Sequence, residues 1–185
     1  MRFNTHSNLA GTHAFLSASS YHWLNYDEDK LARSYIQAQA ARRGTEMHAL
    51  AHQLIRLGVR LPTTKQTFNM YVNDAIGYKM LPEVVLFYSP NCYGTADCLS
   101  FRRNTLRIHD LKTGETQGSP LQLQIYAALF CFEYGYKPTD IQTELRIYQT
   151  DEVRVYETDP DVITHVMDRI LTADRLIREM RSEAE

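Results

Sequence analysis

The chain has 185 residues, of which 44% are hydrophobic and 23% are charged, and its formal net charge is −2. This composition is typical of a globular protein with one core, so we expect a single domain over residues 1–185, and the near-neutral charge neither indicates nor excludes nucleic-acid binding. No apolar run reaches membrane-spanning length, the N-terminus lacks a signal-peptide pattern, and three cysteines without a CxxC pair indicate a reducing, cytoplasmic compartment.

Residues 1–80 are predicted to be mainly helical. A short helix carries Trp23, a second helix spans about residues 27–57, and a third begins near Phe68. The second helix has an apolar stripe at helical spacing, formed by Met47, Leu50, Leu54 and Leu57.

His48 lies on the second predicted helix, four residues after Gly44. Judged from its neighbours alone, it is a hydrogen-bonded core histidine, and a metal ligand is the alternative. His52 follows one turn later, but Ala49 stands where an HExxH motif has glutamate, so we do not expect a metalloprotease.

Residues 81–157 are predicted to form a sheet with one helix. A β-rich run at residues 83–88 precedes a hairpin whose arms alternate apolar and polar side chains. The only polar break between the arms is Arg102 to Thr105, which places the turn between Arg103 and Asn104.

A symmetric turn at this point pairs Asp97 with Asp110. Because strand side chains repeat every second residue, these aspartates and Lys112 are predicted to share one face. Directly opposed carboxylates lie about 5 Å apart and destabilise a sheet unless something neutralises them. A hard divalent cation would do so, and the alternative is a pair of edge-strand charges satisfied by arginines such as Arg107.

The remaining elements complete a mixed sheet flanked by helices. Gly118-Ser119-Pro120 predicts a loop, N-cap and first-turn proline for a helix that ends near Tyr134. On this helix, Gln122 and Tyr126 are four residues apart and share a face, which suits either core packing or a polar role. A second hairpin over residues 143–157 and a final amphipathic helix over residues 158–185 follow.

The order of these motifs resembles the PD-(D/E)XK nuclease superfamily. The matching elements are Gly44 to His48 in GTEMH, Asp97, the Asp110-x-Lys112 triplet, and Gln122 with Tyr126 in QLQIY. The segment HAFLSASSYHWLNY is also similar to the start of small phage-encoded members, and the resemblance is closest to the RecB-like, CRISPR-associated or phage exonuclease-like branch. This chain departs from the pattern at Ala96, where many members of that branch have proline.

The resemblance implies a restriction-endonuclease-like core of the α/β class and a catalytic role for each matched polar residue. Mg²⁺ or Mn²⁺ would be held by His48, Asp97, Asp110 and the backbone carbonyl of Leu111. Lys112 would orient the attacking water or steady the developing charge, and Gln122 and Tyr126 would lie near it. With only three cysteines, we do not expect the iron–sulfur cluster that some RecB-like nucleases carry.

The expected function is therefore a Mg/Mn-dependent deoxyribonuclease, an exonuclease that hydrolyses phosphodiester bonds from single- or double-stranded DNA ends. The expected location is the cytoplasm, of the host if the chain is phage-encoded, with a homo-oligomer or a recombination protein as a candidate partner. The alternative is a catalytically silent relative of the nuclease fold that binds nucleic acid or protein, because fold alone does not determine activity.

Overall fold

The protein is described by a computed structural model that covers residues 3–183. The chain divides into two compact units, residues 1–45 and residues 46–185, and helix α1 (Glu28–Leu57) begins in the first and ends in the second. Among the described residues, every helix is too short or too polar to cross a bilayer. The single-domain organisation stays a prediction.

The first unit contains two 3₁₀ helices, Ser7–Leu9 and Tyr21–Asn25, and the first part of α1. The predicted short helix around Trp23 is therefore a 3₁₀ helix, and its indole N–H donates to the backbone oxygen of Ser17 at 3.0 Å. The α1 helix begins after Asp27, whose Oδ1 accepts the backbone N–H of Lys30 at 2.7 Å. The predicted start of this long helix is confirmed.

The second unit holds a mixed five-stranded sheet in the order β1-β2-β3-β4-β5. Only the β3–β4 pair is parallel, and the other neighbours are antiparallel. The predicted mixed sheet flanked by helices is confirmed. The elements of this unit after α1 are α2 (Thr67–Gly77), β1 (Leu81–Ser89), β2 (Cys92–Arg102), β3 (Thr105–Leu111), α3 (Leu121–Tyr134), a 3₁₀ helix (Pro138–Asp140), β4 (Gln142–Gln149), β5 (Glu152–Glu157) and α4 (Pro160–Ser182).

The β2–β3 hairpin turns at the two predicted residues. Arg103 and Asn104 have φ angles of 50° and 57°, which are the left-handed conformations that a two-residue hairpin turn of type I′ requires. The predicted register is confirmed for Phe101 with Leu106 and for Leu99 with Ile108. The ladder ends at Cys98 and His109, however, so the predicted pair of Asp97 with Asp110 is not formed.

Helices cover both faces of the sheet. On one face, α3 packs against β1 to β4 and against α4, around a core that includes Leu123 and Ile147. Because α3 lies between the sheet and another helix, its sequence is apolar almost all round. On the other face, α2 and the C-terminal part of α1 pack over Cys98, Leu111 and Tyr148.

The loop between β3 and α3 brings the start of α3 to the end of β3. Pro120, rather than the predicted Ser119, occupies the N-cap position, and the Ser119 hydroxyl accepts the Leu121 N–H at 3.3 Å. Gly135 ends the helix in the left-handed conformation with φ of 70°, as its sequence predicts.

Candidate active site

The alternation of side chains along β2 is interrupted at Asp97. Gly94 and Ala96 face α3 before it, whereas Leu99 faces α3 after it. Cys98 packs in the opposite core, and the β1–β2 register passes from Cys98 to Ala96 without a pair at Asp97. The strict alternation that the sequence analysis assumed is therefore broken at the first candidate ligand, as at the strand irregularities that re-aim side chains beside active sites.

The Asp97 carboxylate takes the position of a backbone acceptor. The paired part of the β2–β3 ladder ends at Cys98 and His109, and the next available amide, that of Leu111, donates to Asp97 Oδ2 at 3.0 Å. On β1, the register places Glu83 opposite Asp97, and Glu83 has a φ of 54°. A left-handed glutamate within a strand is a strained conformation of the kind that clusters at functional sites.

His48 of α1 lies against the same carboxylate. Its Nδ1 atom is 3.4 Å from Asp97 Oδ2, and the two side chains are 30% and 21% exposed. His48 is thus a partly exposed partner of Asp97, and the core-histidine interpretation is wrong. Burial raises the pKa of Asp97, while the bond from the Leu111 amide and the adjacent His48 act in the opposite direction.

Asp110, on the interior strand β3, is the most buried carboxylate of the site. Its side chain is 5% exposed, and Oδ1 lies 3.1 Å from Lys112 Nζ. Its other oxygen, Oδ2, is buried and has no hydrogen-bond partner. Burial raises the pKa of Asp110, and the nearby Lys112 ammonium opposes this rise.

The alternative in which arginines neutralise edge-strand aspartates is wrong. Strands β2 and β3 lie inside the sheet. Arg107 pairs with Glu144, with 3.2 Å between its Nε and a carboxylate oxygen.

Three side chains continue the site from β3 onto α3. Lys112 Nζ donates to Gln122 Oε1 at 2.9 Å as well as to Asp110. Gln122 Nε2 in turn donates to the Tyr126 hydroxyl at 3.1 Å. The shared helix face of Gln122 and Tyr126 is confirmed, and Tyr126 also packs against the core. The polar and packing interpretations of this residue therefore both hold.

Two glycines leave room for these side chains. A Cβ atom at Gly94 would lie 2.9 Å from a ring carbon of Tyr126, and one at Gly118 would lie 3.1 Å from Lys112 Cγ. Real Cβ atoms essentially never approach as closely as the first distance. The sequence carries no signal for either role, because both depend on which helix face packs over which strand.

Gln149 fixes the loop between Lys112 and Gln122. This side chain is at the buried end of β4 and is 3% exposed. Its amide nitrogen donates to the carbonyls of Gly114 and Thr116 at 2.6 and 2.8 Å, and its Oε1 accepts the N–H of Gly118 at 3.0 Å. This role was not predicted, because its only local signal is a glutamine at the end of a predicted strand.

The donor atoms suit a hard divalent cation, because carboxylate oxygens and an imidazole nitrogen are ligands of Mg²⁺ and Mn²⁺. The unpartnered Oδ2 of Asp110 is an acceptor that such a cation would satisfy. Within residues 3–183, however, no three His, Cys, Asp or Glu side chains are grouped closely enough to hold a metal ion.

Comparison with known proteins adds little to this geometry. No protein-family model matches the chain, and no curated protein matches it. Among solved structures, the crystal structure of SSO0001 aligns with a TM-score of 0.37 and 13% sequence identity, over 83% of this chain and 68% of that chain.

Proposed function

We propose that this chain is a metal-dependent deoxyribonuclease of the PD-(D/E)XK type. The observation that supports it best is Asp110, a carboxylate with one oxygen bonded to Lys112 and the other buried without a partner. An unsatisfied buried carboxylate oxygen is costly. Such an arrangement is common where the group serves a ligand instead of stability.

His48, Asp97 and Asp110 would hold Mg²⁺ or Mn²⁺, together with the Leu111 carbonyl that the family pattern supplies. A bound divalent cation contributes Lewis acidity at a phosphodiester and makes water a better nucleophile. Asp97 connects His48 to the end of β3, since its Oδ2 lies 3.4 Å from His48 Nδ1 and accepts the N–H of Leu111.

Lys112 is the group that would act on the phosphodiester itself. Its side chain is 30% exposed, and Asp110 and Gln122 fix the direction of its ammonium group. From there it donates hydrogen bonds to phosphoryl oxygens as negative charge develops, which is electrostatic stabilisation of the transition state. Tyr126 holds the Gln122 amide and so positions Lys112 indirectly.

The proposed substrate is DNA with free ends, in the cytoplasm. Sequence-specific recognition needs a surface that reads base edges, whereas binding through phosphates is sequence-tolerant and salt-sensitive. A small nuclease that degrades processively must thread a strand or assemble into a ring, and both routes favour termini. A homo-oligomer or a partner recombination protein would provide such a ring.

A second candidate is a silent relative of the fold that binds nucleic acid or protein. The observation that favours it is that Asp97 is already satisfied by Leu111 and His48, and no three donors are grouped for a metal within residues 3–183. Under this proposal the same residues stabilise the end of the sheet and perform no chemistry.

The deciding experiment incubates the protein with end-labelled linear DNA and with covalently closed circular DNA, in Mg²⁺, Mn²⁺ or chelator. We expect metal-dependent degradation of the linear DNA only, and none by Asp97→Ala. Discrete fragments from closed circles would point to an endonuclease. Absence of cleavage despite Mn²⁺ binding in calorimetry would favour the silent relative.

A further inference from the structure

A cleft of about 400 Å³ lies at the edge of the sheet beside the start of β1. The first residue of β1, Leu81, pairs with Leu99, so no described strand covers the edge of β2 from Ser100 to Arg102. Arg102 is opposite Thr105 on β3. Thr105 precedes Asp110 by five residues, so the two are separated by roughly 17 Å along the strand. The cleft is therefore separate from the candidate active site.

One side of this cleft is an aromatic wall. Phe101 and Tyr136 have ring centroids 4.8 Å apart, and Phe130 and Tyr134 are also 4.8 Å apart. Tyr134 is 54% exposed, whereas Phe130 is 4% exposed. The wall thus has a buried base and an accessible ring at its mouth, which is a surface that a planar ligand can stack on.

The charged side chains that line the cleft are both cations, Lys79 and Arg102. Neither side chain forms an ion pair or hydrogen bond within residues 3–183. By contrast, Arg107 and Arg146 on the same sheet are both paired with Glu144. The cleft therefore presents two unneutralised positive charges and no acidic residue.

Lys79 occupies a backbone position that favours glycine. It follows the end of α2 with φ of 53°, and the N–H of Met80 closes the turn onto the Ala75 carbonyl at 2.9 Å. Helices that end this way usually have glycine or asparagine at this position, because other side chains are strained there. Lys79 therefore lines the cleft from a backbone position that is strained for a lysine.

From these features we propose that the cleft binds a nucleotide, with the base stacked on the aromatic wall and the phosphate between Lys79 and Arg102. The volume is within the range of small-molecule sites. Stacking on an aromatic side chain beside cations is also how proteins hold single nucleotides of a strand without reading sequence. The nucleotide is either free or part of a polynucleotide, and this proposal does not depend on cleavage by the candidate active site.

Calorimetry in the presence of EDTA tests the proposal, with four unlabelled probes: dAMP, adenosine, inorganic phosphate and a short oligodeoxyadenylate. We expect dAMP to bind at least about tenfold more tightly than adenosine or phosphate, since each supplies only half of the contacts. Tighter binding of the oligonucleotide than of dAMP identifies a strand as the source, and equal binding identifies a free nucleotide. Equal affinity for adenosine and dAMP, or no binding of dAMP and oligonucleotide alike, would overturn the proposal.

Matched variants distinguish nucleotide binding in the cleft from a general effect of removing a positive charge. Arg102→Gln should weaken binding of the nucleotide probe about tenfold, whereas Arg103→Gln, one residue away in the turn and outside the cleft, should leave it unchanged. Lys79→Gly should also weaken binding while raising the melting temperature, because glycine relieves the left-handed strain. Equal losses in the two arginine variants, or unchanged affinity in Lys79→Gly, would contradict the site. Asp110→Asn should retain full nucleotide binding, which keeps this test independent of the proposed nuclease.

Discussion

Two polar networks flank β3, one on each face of the sheet, and they differ in how completely their hydrogen bonds are satisfied. On the α2 face, the Arg146 guanidinium contacts Asp74 at 3.3 Å, Glu144 at 3.0 Å and the Tyr78 hydroxyl at 2.8 Å. On the α3 face, the chain of contacts from Tyr126 through Gln122 and Lys112 ends on Asp110, where one oxygen has no partner.

The α2-face network neutralises its charges internally. The Tyr148 hydroxyl donates to Asp74 at 2.7 Å and lies 3.2 Å from His109 Nδ1. Burial, followed by the charges of Arg146 and Arg107, lowers the pKa of His109 to about 3, so its imidazole is neutral. Its Nε2 also lacks a partner, but an unpaired atom of a neutral ring costs far less than one of a carboxylate. We infer that the α2-face network serves stability and that, under the proposed function, the α3-face network serves a ligand.

The largest expected effect is that of Asp110→Asn on cleavage. This change removes the carboxylate charge on which the α3-face network ends. If a metal ion depends on that charge, the cleavage rate should fall by at least about 10³-fold, or ~4 kcal/mol. Folding should not suffer, because the substitution removes a poorly satisfied buried charge and Lys112 keeps Gln122 as a partner. Single-turnover cleavage assays and thermal melts measure the two quantities. A large fall in melting temperature would instead assign Asp110 to stability.

Arg146→Met should show the opposite pattern. Asp74 and Glu144 lose their shared cation, although Glu144 keeps Arg107. Losing hydrogen bonds to these partly exposed carboxylates should cost about 2 kcal/mol of unfolding free energy. Because Arg146 belongs to the α2-face network, the folded fraction should cleave DNA within about twofold of the parent rate. Urea denaturation gives the stability, and assays well below the midpoint give the rate. A variant that keeps its stability but loses cleavage would erase the distinction between the faces.

These two networks also mark what the sequence can predict. The apolar alternation of the two arms and the polar turn at Arg103 and Asn104 predicted the hairpin register, because both signals are local in the chain. The interruption at Asp97 was not predictable, because it lies opposite Glu83 of a neighbouring strand, whose left-handed conformation has no local sequence signal. The contact of Gly94 with Tyr126 was hidden for a similar reason, since it joins residues far apart in sequence. Local patterns therefore selected candidate residues, whereas long-range packing determines how the structure holds them.

Lys112→Ala tests whether, in the α3-face network, the lysine acts on the substrate while other residues bind the metal. We expect Mn²⁺ binding in calorimetry to persist, because the proposed ligands remain, while hydrolysis falls roughly 10²-fold, or ~2.7 kcal/mol. His48→Ala is the matched control, since it should weaken Mn²⁺ affinity first. Loss of Mn²⁺ binding in the lysine variant would show that Lys112 organises the ligands instead of acting on the substrate.

The smallest effect concerns how Tyr126 is held, and a double-mutant cycle isolates it. Tyr126→Phe removes only the hydroxyl that accepts from Gln122, so we expect a loss of at most about tenfold in rate, or ~1.4 kcal/mol. Gly94→Ala should cause a similar loss, because the new methyl group would lie 2.9 Å from the Tyr126 ring and displace it. If the glycine acts through that hydroxyl, Gly94→Ala should have little further effect on rate in the Tyr126→Phe background. Additive losses in rate would mean that Gly94 affects the site by another route, such as the path of β2 towards Asp97. Melting temperatures of all four proteins separate this coupling from general destabilisation, since a repacking cost alone would lower stability equally with or without the hydroxyl.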